Sequence, residues 1–256
     1  MYEYRYTDLV EYTKASDHKR LRFIINQLTT HVTTTENILD VGCGNGIISK
    51  AVGKLGYNVR GIDISKKTID TARQHCDLPN VRFDCVKAEE LVLSDERFGG
   101  VICSEVLEHL HNPTQFLLVL QKLLAKDGIL IITVPNGYGP REVIITKPMQ
   151  KICKREDRLW KIIFSIKRRL GYDGKSIQSD ADELGHIQFF RKKALIDIVS
   201  NSGFEFLEDG KGEFIMDVFP YSLLTKRFKT LQDVDCKLAD ILPSSFSSSI
   251  FTCWKR

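Results

Sequence analysis

Apolar residues fall along the chain in two alternating rhythms. Short runs such as Ile38-Leu39-Asp40-Val41, Val59-Arg60-Gly61-Ile62, Val101-Ile102-Cys103 and Ile129 to Val134 are bounded by Gly, Asn, Asp or Pro. Between them lie segments with apolar residues three and four apart, such as Ile47, Ile48, Ala51, Val52 and Leu55. The first rhythm reads as strands buried on both faces, the second as helices laid over them. The pattern predicts strands at 37–42, 57–63, 81–86, 100–104, 129–134, 204–208 and 249–254. Helices are expected after most of them, with Ser65 and Asn112-Pro113 as starts and Gly56 and Gly203 as stops. Such alternation implies a largely parallel sheet with right-handed crossovers. Residues 1–35 read as a helical cap with Leu21, Phe23, Ile24, Ile25 and Leu28 as its buried stripe.

Composition narrows the class. At 256 residues and 43% hydrophobic content the chain buries a sizeable core. It contains no run of about 18 apolar residues, so no membrane span is expected. The first residues carry no apolar signal core, so nothing suggests secretion. The seven cysteines are scattered without metal spacing, which suggests reduced thiols in a cytoplasmic compartment. Charge is concentrated in one place. The window 147–169 has nine Lys and Arg against Glu156 and Asp157, a net +7 in a chain whose total is +4. Within it, Lys151, Lys154, Arg155, Arg158, Lys161 and Arg168 recur at helical spacing opposite Ile152, Leu159, Ile163, Ile166 and Leu170. Three readings of residues 151–170 stand open: a lid helix packed on the domain, contact with an anionic membrane surface, and, less favoured, contact with a nucleic-acid backbone.

The candidate chemistry gathers at Asp40-Val41-Gly42-Cys43-Gly44-Asn45-Gly46. A strand ends there in glycines that let backbone approach a ligand, and Asp63 ends the next strand about 20 residues on, where a ribose-binding carboxylate is expected. A dinucleotide fingerprint reads G-x-G-x-x-G, but here Ile47 stands in place of the third glycine. A carboxylate at Asp40 opposes a pyrophosphate and favours an ammonium. A nucleoside with an amino-acid tail fits both acids. A dinucleotide oxidoreductase and a cofactor-binding module without catalysis are the less favoured alternatives.

At this point the sequence resembles the class I S-adenosylmethionine-dependent methyltransferases, whose first motif is an apolar residue, Leu-Asp, another apolar residue and Gly-Cys-Gly-x-Gly. The likeness is dense over residues 36–136 and weaker to the C-terminus. It implies a Rossmann-like seven-stranded sheet whose last strand is antiparallel and lies beside strand six. It divides the chain into the cap at 1–35, a cofactor-binding half at 36–136, a basic lid insertion at 137–185 and a completion of the sheet at 186–256. It also implies a cofactor set of Asp40, Gly42, Gly44, Gly46, Asp63, Ile64, Ala88, Glu89, Ser104 and Glu105. Many relatives have Asp where Lys87 stands, so adenine contacts shift to Ala88 and Glu89. In the cap, His18, Lys19 and Arg20 either face solvent or reach the cofactor's carboxylate, Arg20 being the candidate.

Methyl transfer to a hydroxyl needs an aligned acceptor and a group that removes a proton. Glu105, Glu108 and His109 are spaced i, i+3, i+4 and are expected on one helical face. This E-x-x-E-H run, with a later His-x-x-Phe at His186, resembles the ubiquinone-biosynthesis O-methyltransferases and the small-RNA 2′-O-methyltransferases. That likeness implies a divalent metal, Mg²⁺ or Mn²⁺, on Glu105, Glu108, His109 and His186. Two other readings stay open: His109 as a metal-free base helped by Glu108, and a purely structural His. The reading favoured overall is an S-adenosylmethionine-dependent methyltransferase acting on oxygen of a small or lipid-linked polyhydroxylated acceptor. An RNA ribose methyltransferase is the alternative. Tyr138, after strand five, is a candidate pocket wall or a loop-packing residue.

Overall fold

The computed structural model describes residues 12–140, 143, 187–218 and 220–256. Seven strands form one sheet: β1 (Asn37–Val41), β2 (Asn58–Asp63), β3 (Val81–Cys85), β4 (Phe98–Ser104), β5 (Leu124–Pro135), β6 (Glu205–Lys211) and β7 (Ser249–Lys255). Their order is β3-β2-β1-β4-β5-β7-β6. The first five pair in parallel, and β7 runs antiparallel between β5 and β6. This is the Rossmann-like methyltransferase sheet expected from the sequence. β1 and β4 sit side by side at the centre, where the strand order reverses, which is where open α/β sheets take ligands at the carboxyl ends.

The helices are α1 (Ala15–His31), α2 (Ile47–Gly53), α3 (Lys66–Gln74), α4 (Ala88–Leu91), α5 (Pro113–Leu123), α6 (Lys192–Asn201), α7 (Tyr221–Arg227) and α8 (Lys229–Ile241). Their starts follow the sequence signals. Ser65 accepts the Thr68 N–H at the head of α3, and Asn112 accepts the Gln115 N–H one residue before Pro113. α1 lays Leu21, Ile24, Ile25 and Leu28 on the sheet, all buried, while Phe23 is half-buried. At its end the Tyr57 hydroxyl donates to the Leu28 and Val32 carbonyls, so that the residue leading into β2 holds the last turn of α1.

Two boundaries differ from the sequence reading. β4 begins at Phe98 and β5 at Leu124. Asp127 and Gly128, just ahead of the 129–134 run read as strand five, lie inside β5 at an irregularity. The register slips between Phe98 and Gly100, and Asp127 takes φ +63°. Between β6 and β7 the chain forms two helices, α7 and α8, meeting at Phe228. The basic segment 151–170, and with it the readings placed on the lid, lies outside the described residues. No helix among the described residues is long and apolar enough to cross a membrane.

Candidate functional site

The turn after β1 is set by its glycines. Gly42, Gly44 and Gly46 all have left-handed φ, at 68°, 55° and 81°. The N–H groups of Gly42 and Cys43 both donate to the Ile62 carbonyl, at 2.8 and 3.0 Å. Gly46 then donates to Cys43 O, and α2 starts with no side-chain cap. A Cβ on Gly42 would lie 2.5 Å from Val106 Cγ2, so the position excludes any larger residue on both conformational and steric grounds.

Asp63 braces this turn. One carboxylate oxygen accepts the Gly44 N–H at 3.1 Å and the other accepts the Ser65 N–H at 2.8 Å. Each oxygen retains a lone pair for a further donor. Ile64 follows with its side chain 69% exposed, and the Cys85 thiol donates to its carbonyl. Ala88 is buried at the start of α4, and Glu89 is exposed beside it. These residues stand together at the carboxyl ends of β2 and β3.

Asp40 is placed differently from the sequence expectation. Its carboxylate is 1% exposed and accepts the Ser49 hydroxyl at 2.6 Å, sealed beneath α2 rather than lining the turn. Burial drives its pKa up to about 6, against the opposing bond from Ser49. Its influence on a ligand is therefore through the turn, not by an open contact.

At the ends of β4 and β5 the expected arrangement is corrected. Glu105, Glu108 and His109 do not share a helical face. Glu105 takes φ +58°, and only Leu107–His109 forms a 3₁₀ turn. The Glu105 backbone N–H donates to Thr133 O at 2.8 Å, continuing the β4–β5 pairing. Its carboxylate accepts from Thr133 Oγ1 at 3.0 Å and lies 3.5 Å from the Arg20 guanidinium. Ser104 Oγ is 2.8 Å from the same Thr133 hydroxyl. Arg20, 9% exposed, also donates to Asp17 at 3.1 Å. Burial alone would lower the Arg20 pKa, but Glu105, then Tyr12, Asp17 and Glu213, outweigh it and hold the guanidinium charged. The cap residues do not form a solvated face. Lys19 donates to Gly212 O, Cys236 O and Asp240, and His18 Nε2 lies 2.9 Å from Tyr12 O.

Thr133, Asp17, Tyr12 and Glu213 were not singled out in the sequence, yet they complete the Arg20 cluster. Thr133 alone gave a signal, as the one hydroxyl near the end of the apolar run from Ile129 to Val134.

Glu108 is 2% exposed, and the His109 Nε2 is 3.8 Å from its Oε1. The backbone carbonyl of Glu108 accepts two N–H groups, from Ile187 and Gln188. His186 itself lies outside the described residues. Among the described residues no group of three or more His, Cys, Asp or Glu side chains is arranged to hold a metal ion. The loop after β5 is pinned by Asn136, whose amide donates to Ser244 O and Ser247 O. Tyr138, half-exposed, carries the Arg191 guanidinium 3.7 Å above its ring. The buried thiols Cys43 and Cys103 are pushed up by desolvation and stay protonated.

Comparison with known proteins places this geometry. A methyltransferase-domain family model matches residues 9–209. The ubiquinone biosynthesis O-methyltransferase of Rickettsia bellii is 38% identical over 121 residues, 46% of this chain and 50% of that protein. The chain thus matches only about half the length of such curated relatives. Among solved structures, the N-methyltransferase NodS of Bradyrhizobium japonicum WM9 with S-adenosyl-L-homocysteine aligns at TM-score 0.57 and 12% identity, covering 95% of this chain and 89% of that one. Magnesium protoporphyrin IX methyltransferase of Synechocystis PCC 6803, also with the homocysteine product, aligns at 0.55 and 16%, covering 94% and 83%. At those identities the likeness is one of fold. With the family model spanning most of the chain, the protein belongs to the methyltransferase-domain family, of the class I S-adenosylmethionine-dependent kind.

Proposed function

We propose that the chain transfers a methyl group from S-adenosylmethionine to an oxygen of a small or lipid-linked polyhydroxylated acceptor, such as a phenol, quinone precursor or sugar. The observation that carries the reading is the three-glycine turn tied to Asp63, packed so closely that a Cβ on Gly42 would stand 2.5 Å from Val106 Cγ2. Its chemistry suits a nucleoside: Asp63 offers lone pairs to a ribose diol, Ile64 an exposed apolar face to adenine, and Ala88 and Glu89 the neighbouring edge. Gly42, Ser104, Glu105 and Arg20 would border the amino-acid end, where Glu105 meets an ammonium and Arg20 a carboxylate. When bound, the cofactor supplies an electrophilic methyl group on a sulfonium.

The protein's own part is alignment and proton removal. His109 is the proposed base for an acceptor hydroxyl, and Glu108 beside it would favour the imidazolium that forms. The 3₁₀ turn fixes both at the end of β4. His186, one of the four implied metal ligands, lies outside the described residues, so no step is routed through a metal. Oxygen as the acceptor atom is supported by the ubiquinone O-methyltransferase relatives. The test is incubation of the full chain with methyl-deuterated S-adenosylmethionine and a panel of catechols, prenylated phenols, sugars and RNA oligonucleotides. Mass spectrometry should find the deuterated methyl on a phenolic or sugar oxygen. Label found solely in RNA, or on nitrogen or carbon, overturns the proposal.

A further inference from the structure

Glu105 holds a backbone conformation that its residue type rarely adopts. At φ +58° it lies in the left-handed region, which strains a non-glycine residue and persists only where the surroundings over-determine it. Its main chain and its side chain are gripped by the same residue. Thr133, fully buried on β5, pairs in register with Ser104 at the end of β4. The Thr133 carbonyl accepts the Glu105 N–H at 2.8 Å, and the Thr133 hydroxyl donates to Glu105 Oε1 at 3.0 Å. A threonine hydroxyl has one proton to give. That proton goes to Glu105, so the 2.8 Å bond between the Ser104 and Thr133 hydroxyls is donated by Ser104. The three side chains form a directed relay, from Ser104 to Thr133 to Glu105, that ends on a carboxylate.

This relay keeps a neighbouring ion pair open. Glu105 Oε1, already taken by Thr133, is also the oxygen 3.5 Å from Arg20 Nη1, and the two make no hydrogen bond. Arg20 Nη2 donates to Asp17 instead, and Arg20 Nε has no hydrogen-bond partner among the described residues. Oε2 of Glu105 accepts no hydrogen bond among the described residues either. A guanidinium and a carboxylate left to themselves favour a two-bond fork. Without the Thr133 hydroxyl, the Glu105 carboxylate would be drawn round to give both oxygens to Arg20. With it, acid and base stand side by side, each with a group unspent. The next residue, Val106, packs against Gly42, so the pair lies next to the glycine turn. A ligand with an ammonium and a carboxylate on one carbon matches such an opened pair.

We propose that Thr133 is a positioning residue, which holds the Glu105 carboxylate off Arg20 and keeps Oε2 for the ammonium of the cofactor's amino-acid tail. This rests on the reading that Glu105 meets that ammonium. The test is calorimetric titration of the full chain with two ligands: S-adenosylhomocysteine, and methylthioadenosine, which has the same nucleoside and sulfur but no amino-acid tail. Thr133→Val should weaken S-adenosylhomocysteine about tenfold and leave methylthioadenosine unchanged. Thr133→Ser, which restores the hydroxyl, should recover most of the loss. An equal loss for both ligands would reduce Thr133 to a structural part and overturn the proposal, as would unchanged affinity or a serine variant as weak as the valine one. If T133V shows no cooperative melt, Ser104→Ala carries the test, since it removes the relay's first donor. A selective loss for the tailed ligand supports the proposal, and no loss or a parallel loss overturns it. Glu105→Ala separates the two levels. If E105A loses the tailed ligand selectively while T133V does not, the proposal fails and the reading of Glu105 stands. If E105A binds both ligands as wild type does, that reading fails and the role of Thr133 fails with it.

Discussion

Replacing Gly42 by alanine perturbs the turn that everything else is built around. Two separable penalties are visible. An L-residue held at φ +68° is strained by about 1–2 kcal/mol. The new Cβ also stands 2.5 Å from Val106 Cγ2, and valine is stiff at χ1, so relief must come from backbone. Overpacking of that kind costs about 1–3 kcal/mol. Together they predict a loss of about 2–5 kcal/mol, a large share of a typical domain's stability. Urea unfolding with linear extrapolation measures it. Truncating Val106 separates the parts. In a cycle of G42A, V106A and the double variant, the coupling should be favourable by about 1–3 kcal/mol, leaving the conformational strain in place. Movement of the turn should also weaken S-adenosylhomocysteine binding at least about tenfold, equivalent to roughly 1.4 kcal/mol. A G42A protein within about 0.5 kcal/mol of wild type, with unchanged affinity, would refute the argument from the turn geometry.

The other predictions concern charge. Arg20→Met leaves Glu105 and Asp17 without their buried cation and should cost about 3–5 kcal/mol in urea unfolding, with partial recovery in R20M/E105Q. Asp63→Asn exchanges one charged acceptor for an amide that opposes a backbone N–H, so calorimetry should show about a 10–100-fold loss of S-adenosylhomocysteine affinity with a smaller loss of stability. The buried Asp40 gives a pH dependence of unusual sign. Its folded pKa, about 6, lies above the ordinary 3.8, so between these values the folded protein keeps a proton that the unfolded chain has lost. Its contribution to stability therefore falls as pH rises from about 4 to 6, by roughly 3 kcal/mol at most, and is level above. Asp40→Asn should flatten that slope in melts followed across the same range.

Strands and most helix starts were legible because they depend on local rules. The Ile38–Val41 and Ile129–Val134 runs have too little polarity for an exposed strand, and Ser65 and Asn112 cap their helices as their side chains dictate. The glycine turn was legible because left-handed backbone requires that residue. The site was less legible wherever long-range contacts overrode local spacing. The interval from Glu105 to His109 describes neighbours only inside a helix, and the Glu105–Thr133 backbone bond prevents one from starting there. Asp40 read as a ligand contact because strand position was known but the depth of Ser49 on α2 was not. Arg20 resembled a solvated residue because its distant partners, Glu105 and Glu213, come from the segments after β4 and β6.

The central claim is that this turn accepts a nucleoside bearing a zwitterionic amino-acid tail. Isothermal titration of the purified chain with S-adenosylhomocysteine and, separately, with a nicotinamide dinucleotide tests it most directly. Saturable one-to-one binding of the first in the micromolar range, with no heat from the second, is the predicted result; tight binding of the dinucleotide and none of the homocysteine adduct would contradict it.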